Sequence, residues 1–126
     1  MKKKILIVDD DRDFVDAVEA LLTANDYDTV TANNGEEGFQ KALAEKPDLI
    51  TMDVMMANDG EGLGTAKKLT ETPETENIPV ILMTGVKKAH NLTENYANGE
   101  KTIQVKATLE KPVKPEEILN TIKKFI

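Results

Sequence analysis

The chain has no cysteine, which excludes a disulfide scaffold, thiol chemistry and thiolate metal sites. No window approaches the roughly 20 apolar residues needed to cross a bilayer. The start Met1-Lys2-Lys3-Lys4 followed by the apolar residues 5–8 resembles a secretion signal only briefly, because the run then meets Asp9, Asp10 and Asp11. Arg12 is the one arginine, and the lysines form no stripe. With 16 basic against 23 acidic residues and a net charge of -7, nucleic acid is not expected as a direct partner, since phosphate backbones need clustered Lys and Arg. The one histidine, His90, stands in a poorly patterned stretch and reads as solvent-exposed. No Gly-rich fingerprint follows the first apolar run, which speaks against nucleotide binding. These absences leave a cytoplasmic protein with no membrane association as the expectation.

What is present fits one globular domain over residues 1–126, with 40% apolar and 31% charged residues. Its organising stretch is Asp48-Leu49-Ile50-Thr51-Met52-Asp53-Val54-Met55-Met56. This apolar run passes through a carboxylate and opens into the turn-rich segment 57–62. It follows a helix-like segment and a proline, and reads as a buried parallel strand. Residues 4–8 read as a strand of the same kind, running into three aspartates. Asp11 is expected to cap a helix over 12–24, whose Phe14, Val15, Val18, Leu21 and Leu22 form one apolar stripe. Residues 27–32 return as a more polar edge strand. Asn34 caps a second helix, which Phe39, Ala42 and Leu43 bury and Lys46-Pro47 ends.

A third helix over 63–71 carries Leu63, Ala66 and Leu69. The most hydrophobic strand spans 80–84, the pattern blurs from 86 to 105, and a last strand covers 107–110. Pro115 suits the first position of a closing helix. Strands alternating with helices predict a flavodoxin-like α/β fold: a doubly wound five-stranded parallel sheet of order 2-1-3-4-5, helices on both faces.

In that order the first strand lies between the second and third, so Asp9, Asp10 and Asp53 share one pocket. Thr84 and Lys111 come from the ends of strands 4 and 5. Three crowded carboxylates are stable only when a cation or a nearby lysine offsets them. All-oxygen ligation suits a hard divalent ion, Mg²⁺ ahead of Ca²⁺ because no EF-hand loop is present. A carboxylate so placed can attack phosphorus to form an acyl phosphate. Lys111 offers a positive contact to the phosphoryl oxygens, and Thr84 offers a hydroxyl donor. Asp59 reads as an ordinary turn residue.

Val8-Asp9-Asp10, the run from Asp48 to Met56, Met83-Thr84-Gly85 and Glu110-Lys111-Pro112 together resemble the receiver domain of bacterial two-component response regulators. The resemblance extends from Lys4 to the C-terminus and rests on four motifs in order. It implies that Asp53 accepts a phosphoryl group from a histidine kinase or phosphotransfer protein. It further implies that Asp10, Asp53 and the Met55 backbone carbonyl bind Mg²⁺, with Asp9 acting largely through water. Thr84 would turn inward to the phosphoryl group, Lys111 would pair with it, and the bond before Pro112 would be cis. A downstream protein target is implied without being identified. Dimerisation on phosphorylation, through the face from the fourth strand to the last helix, is left open.

The chain departs from the family pattern in its loop and its switch. Met56-Ala57 stands where Met-Pro is common. Eight positions beyond Asp53 the usual glycine is Glu61, flanked by Gly60 and Gly62. Thr108 occupies the place of the aromatic that swings inward with the threonine, a role left to Tyr96 or unfilled. The segment between Thr84 and Lys111 is several residues longer than usual and faces partners in the family. Two other functions stay open: a phosphorylation-independent pseudo-receiver that binds a partner, and an aspartate-nucleophile phosphohydrolase. Against the second, Met55 holds the place where such enzymes carry a second acid. The preferred reading is an acceptor that phosphorylates and dephosphorylates itself rather than a turnover enzyme.

Met55 and Val86, two beyond Asp53 and Thr84, occupy positions that influence the attacking water in the family. Both are apolar and cannot orient water by hydrogen bonding, so the acyl phosphate is expected to be long-lived. Timing its decay in Met55→Asn and Val86→Glu variants checks this: both are expected to shorten the lifetime, and unchanged rates would reject the idea.

Overall fold

A computed structural model describes residues 2–53, 61–84, 105–110 and 113–126. The elements run β1 (Lys4–Val8), α1 (Arg12–Ala24), β2 (Asp28–Ala32), α2 (Gly35–Glu45), β3 (Leu49–Asp53), α3 (Glu61–Glu71), β4 (Val80–Thr84), β5 (Val105–Glu110) and α4 (Pro115–Phe125). All strand pairs are parallel, and the spatial order is β2-β1-β3-β4-β5. Among the described residues no helix is long and apolar enough to cross a membrane.

The expected sheet is corrected at one edge. Only the four strands β2-β1-β3-β4 form a ladder of unbroken register. The strand β5 joins β4 out of step: Val80 pairs with Val105, but Ile81 pairs with Ala107. Lys106 is thus the extra residue of a bulge, an irregularity common at sheet edges because an edge strand is held from one side only. Three boundaries also move outward or inward: β2 begins at Asp28, α3 at Glu61 and β5 at Val105.

Alternation along the strands builds two cores. Leu6, Val8, Ile50, Met52, Val80 and Leu82 pack with Phe39 and Ala42 of α2 and Leu69 of α3. Ile5, Ile7, Leu49, Ile81 and Met83 face the other way, against Val15, Val18 and Leu22 of α1 and Ile118, Leu119 and Ile122 of α4. Side chains covered on both faces explain why β1, β3 and β4 are mostly apolar, whereas β2, at the edge, carries half-buried Thr29 and Thr31.

Local signals set the helix ends. The Asn34 side chain accepts from the Glu37 N–H at 2.8 Å, and the Glu37 carboxylate accepts from the Asn33 N–H at 2.6 Å. The first bond occupies a donor that a helix start leaves without a partner, and the second ties the residue before the cap to the first turn. Lys46, left-handed at φ 49, closes α2 by donating its N–H to Ala42 O. The buried Thr75 hydroxyl donates to Leu69 O at 2.6 Å, beside the longer Thr72 N–H bond to the same oxygen at 3.4 Å, and so closes the end of α3. At the start of the sheet, Asp48 grips Lys4 twice: its carboxylate accepts the Lys4 N–H at 2.8 Å and its N–H donates to Lys4 O at 2.7 Å. That grip sets the β1–β3 register at the end opposite the acidic residues.

The glycines of α2 and α3 should respond oppositely to alanine. A Cβ on Gly38 would lie 2.8 Å and 3.0 Å from the Val8 methyl carbons, and Val8 is fully buried. Gly38→Ala is expected to lose about 1–3 kcal/mol by overpacking. Gly64 is exposed, with nothing within 4 Å of the added Cβ, so Gly64→Ala should gain about 0.5–1 kcal/mol of helix propensity. Urea midpoints of the two variants measure both signs.

Candidate functional site at the carboxyl ends of β1 and β3

Parallel strands deliver their last residues to one edge, and ligands of open α/β sheets collect there. In the β1–β3 register Val8 lies beside Met52. One step further brings Asp9 beside Asp53. Asp9 is 1% exposed and Asp53 3%, so neither is a solvated loop charge; Asp10 is exposed at the rim. One carboxylate oxygen from each of the three lies within 4.8 Å of the others.

Adjacent aspartates after β1 are held in different ways. The Asp9 N–H donates to Ala32 O at 3.1 Å, extending the sheet by one bond. Its carboxylate Oδ1 accepts the Asp11 N–H at 2.9 Å, which fixes the turn. Asp11, extended at φ -86 and ψ 100, caps α1 by accepting the Phe14 N–H at 3.2 Å. The cap is the role expected of Asp11. The turn bond of Asp9 was not anticipated, although an aspartate two residues before a helix cap is the usual signal for it.

Two unit charges 4.8 Å apart repel by about 1 kcal/mol in water and about 3–4 kcal/mol at an effective dielectric constant near 20. Three such oxygens, with two of the groups buried, form an all-oxygen donor set that suits a hard divalent cation. The residues therefore fit Mg²⁺ and could coordinate it.

The other expected site residues are only partly placed. Thr84 is the last residue of β4, its backbone opposite Glu110 of β5, and Thr108 stands opposite Leu82. Because Met83 pairs with Asp53, Thr84 ends the strand next to the acidic cluster. Lys111, Pro112 and Met55 lie outside the described residues, as do Ala57, Asp59, Val86, His90 and Tyr96.

Fold and site define a doubly wound α/β protein with an acidic, cation-compatible cluster at its carboxyl edge. The family model for the response regulator receiver domain matches residues 5–123, and the chain belongs to that family. It is 33% identical over 119 residues to Protein PilH of Pseudomonas aeruginosa, covering 94% of this chain and 93% of that protein. It is 39% identical over 84 residues to the alkaline phosphatase synthesis transcriptional regulatory protein PhoP of Bacillus subtilis, covering 67% of this chain. The chain spans only 34% of PhoP, and 19% of the response regulator PleD of Caulobacter vibrioides. Among solved structures, chemotaxis response regulator CheY4 of Vibrio cholerae superposes with a TM-score of 0.85 at 26% identity, with 100% of both chains covered. Membership of this family makes the chain a phosphoacceptor receiver domain of the two-component kind.

Neighbouring aspartates should have opposite effects on stability in a chelator. Asp10→Asn removes one of the crowded charges and is expected to raise stability by about 1 kcal/mol. Asp11→Ala removes the cap and should lower it by about 0.5–2 kcal/mol. Urea unfolding of the two variants beside the parent protein gives both values.

Proposed function

We propose that the chain receives a phosphoryl group on Asp53 from a histidine kinase or phosphotransfer protein, in the presence of Mg²⁺, and so switches its contacts with a downstream protein. The observation that carries this reading is the buried Asp53 carboxylate at the end of β3, set among Asp9 and Asp10. An Asp53 oxygen attacks phosphorus, the bond to the donor atom breaks with its electron pair leaving on the donor, and an acyl phosphate remains on the protein. Asp9, Asp10, Asp53 and the Met55 carbonyl would hold the cation, which when bound offsets the charge of carboxylate and incoming phosphoryl group.

The other groups act through their own chemistry. Asp9 has committed Oδ1 to the Asp11 N–H, which holds its carboxylate in place at the cation site. Thr84, at the end of β4 beside the cluster, donates its hydroxyl to a phosphoryl oxygen. Lys111 follows directly on the end of β5 and supplies the compensating positive charge. Thr84 moving towards the phosphoryl group, with Thr108 in place of an aromatic on β5, would pass the change to the surface of β4, β5 and α4. Dimerisation through that face is one form the output takes, and the setting we infer is cytoplasmic. The acceptor domain over residues 1–126 would work as one unit.

The test is incubation with Mg²⁺ and acetyl phosphate followed by intact-mass measurement. One added phosphoryl group is expected, and Asp53→Asn should abolish it while leaving the protein folded. Phosphate release without an adduct would instead indicate a hydrolase. Failure of every donor, with partner binding intact, would indicate a pseudo-receiver.

A further inference from the structure

Thr51 is the one fully buried side chain among the described residues whose oxygen has no hydrogen-bond partner. It sits in β3 between Ile7 and Ile81, both completely buried on the side of the sheet covered by α1 and α4. Leu49, two residues earlier on the same face, is apolar and buried as well. A lone hydroxyl in such a setting is costly, and valine would fill the same volume at no such cost.

Two carboxylates stand one step up the sheet on this face. Residues i and i+2 of a strand share a face, so Thr51 and Asp53 do. Continuing the register of Ile7 with Thr51 places Asp9 in the same row as Asp53. Two residues of a parallel strand advance about 6.6 Å. That backbone spacing is too long for one hydrogen bond of about 2.8 Å and lies nearer the roughly 5.6 Å spanned by two in series through a water. Buried waters occupy sites where otherwise unsatisfied polar groups converge.

We propose that Thr51 is a positioning residue for the Asp53 carboxylate, acting through one buried water held between its hydroxyl and the acidic row. The water donates to one Asp53 oxygen from inside the protein and fixes the carboxylate plane, leaving the other oxygen directed towards phosphorus. This inference rests on the acceptor reading of Asp53, and it adds a part of the site that lies beneath the pocket rather than at its rim.

Thr51→Val, which keeps the shape and loses the hydroxyl, and Thr51→Ser, which keeps the hydroxyl, test the proposal. In the unphosphorylated parent protein a long-lived water should give a nuclear Overhauser effect to the Thr51 methyl group. Thr51→Val should be no less stable in urea, yet form the Asp53 adduct about three- to tenfold more slowly, the factor carried by one neutral hydrogen bond. Thr51→Ser should react within about twofold of the parent, since its hydroxyl can hold the same water. Absence of the water signal, a parental rate in Thr51→Val, or a slow Thr51→Ser would overturn the proposal. Should Thr51→Val not fold, the water signal and the serine variant decide it. A parent protein that forms no adduct defeats the acceptor reading instead, and the water signal then still reports on Thr51 alone.

Discussion

Electrostatic repulsion among three carboxylates is the constraint around which this protein is built. Asp9, Asp10 and Asp53 would separate if their backbones were free, and they are brought within 4.8 Å because two adjacent parallel strands end at the same level. The Asp48–Lys4 bonds at the far end of those strands fix their register. Hydrophobic packing on both faces holds the strands themselves. The acidic pocket is thus a consequence of burial elsewhere: apolar area removed from water holds together charges that oppose one another.

The same arrangement makes the pocket responsive. A site whose groups repel when empty gains more from a cation or a compensating lysine than a neutral site does. Its parts also differ in rigidity. Asp9 is locked into the turn before α1, whose cap Asp11 is tied to the same bond. Asp10 stands exposed at the rim. β5, at the other side of the site, joins the sheet with a register break. A firm β1–β3 centre therefore stands beside an irregular edge.

Much of the fold was legible because one-dimensional patterns carried it. The apolar runs at residues 5–8 and 80–83, and the run at 49–52 interrupted only by Thr51, read as strands covered on both sides, and the helical stripe of Val15, Val18 and Leu22 packs on one of those faces. Caps at Asp11 and Asn34 and the stop at Lys46-Pro47 follow from local hydrogen bonding that neighbours in sequence provide. The bulge at Lys106 was not legible. Register at an edge is chosen by pairing with another strand, and the residues Val105-Lys106-Ala107-Thr108 contain nothing that selects one pairing over the next. Thr51 escaped notice for a related reason: threonine is a good strand former, so a buried strand with one threonine reads like any other.

Sequence alone determined the element order, the identity of the acidic residues and the family to which they point, since each is written in spacing and residue type. Tertiary structure decided which aspartates meet. Asp9 and Asp53 are 44 positions apart and become neighbours only through the β1–β3 register. Asp11, two residues from Asp9, faces its own helix instead. Proximity across a sheet is set by strand pairing, which no local pattern records, and that pairing turns scattered carboxylates into a site.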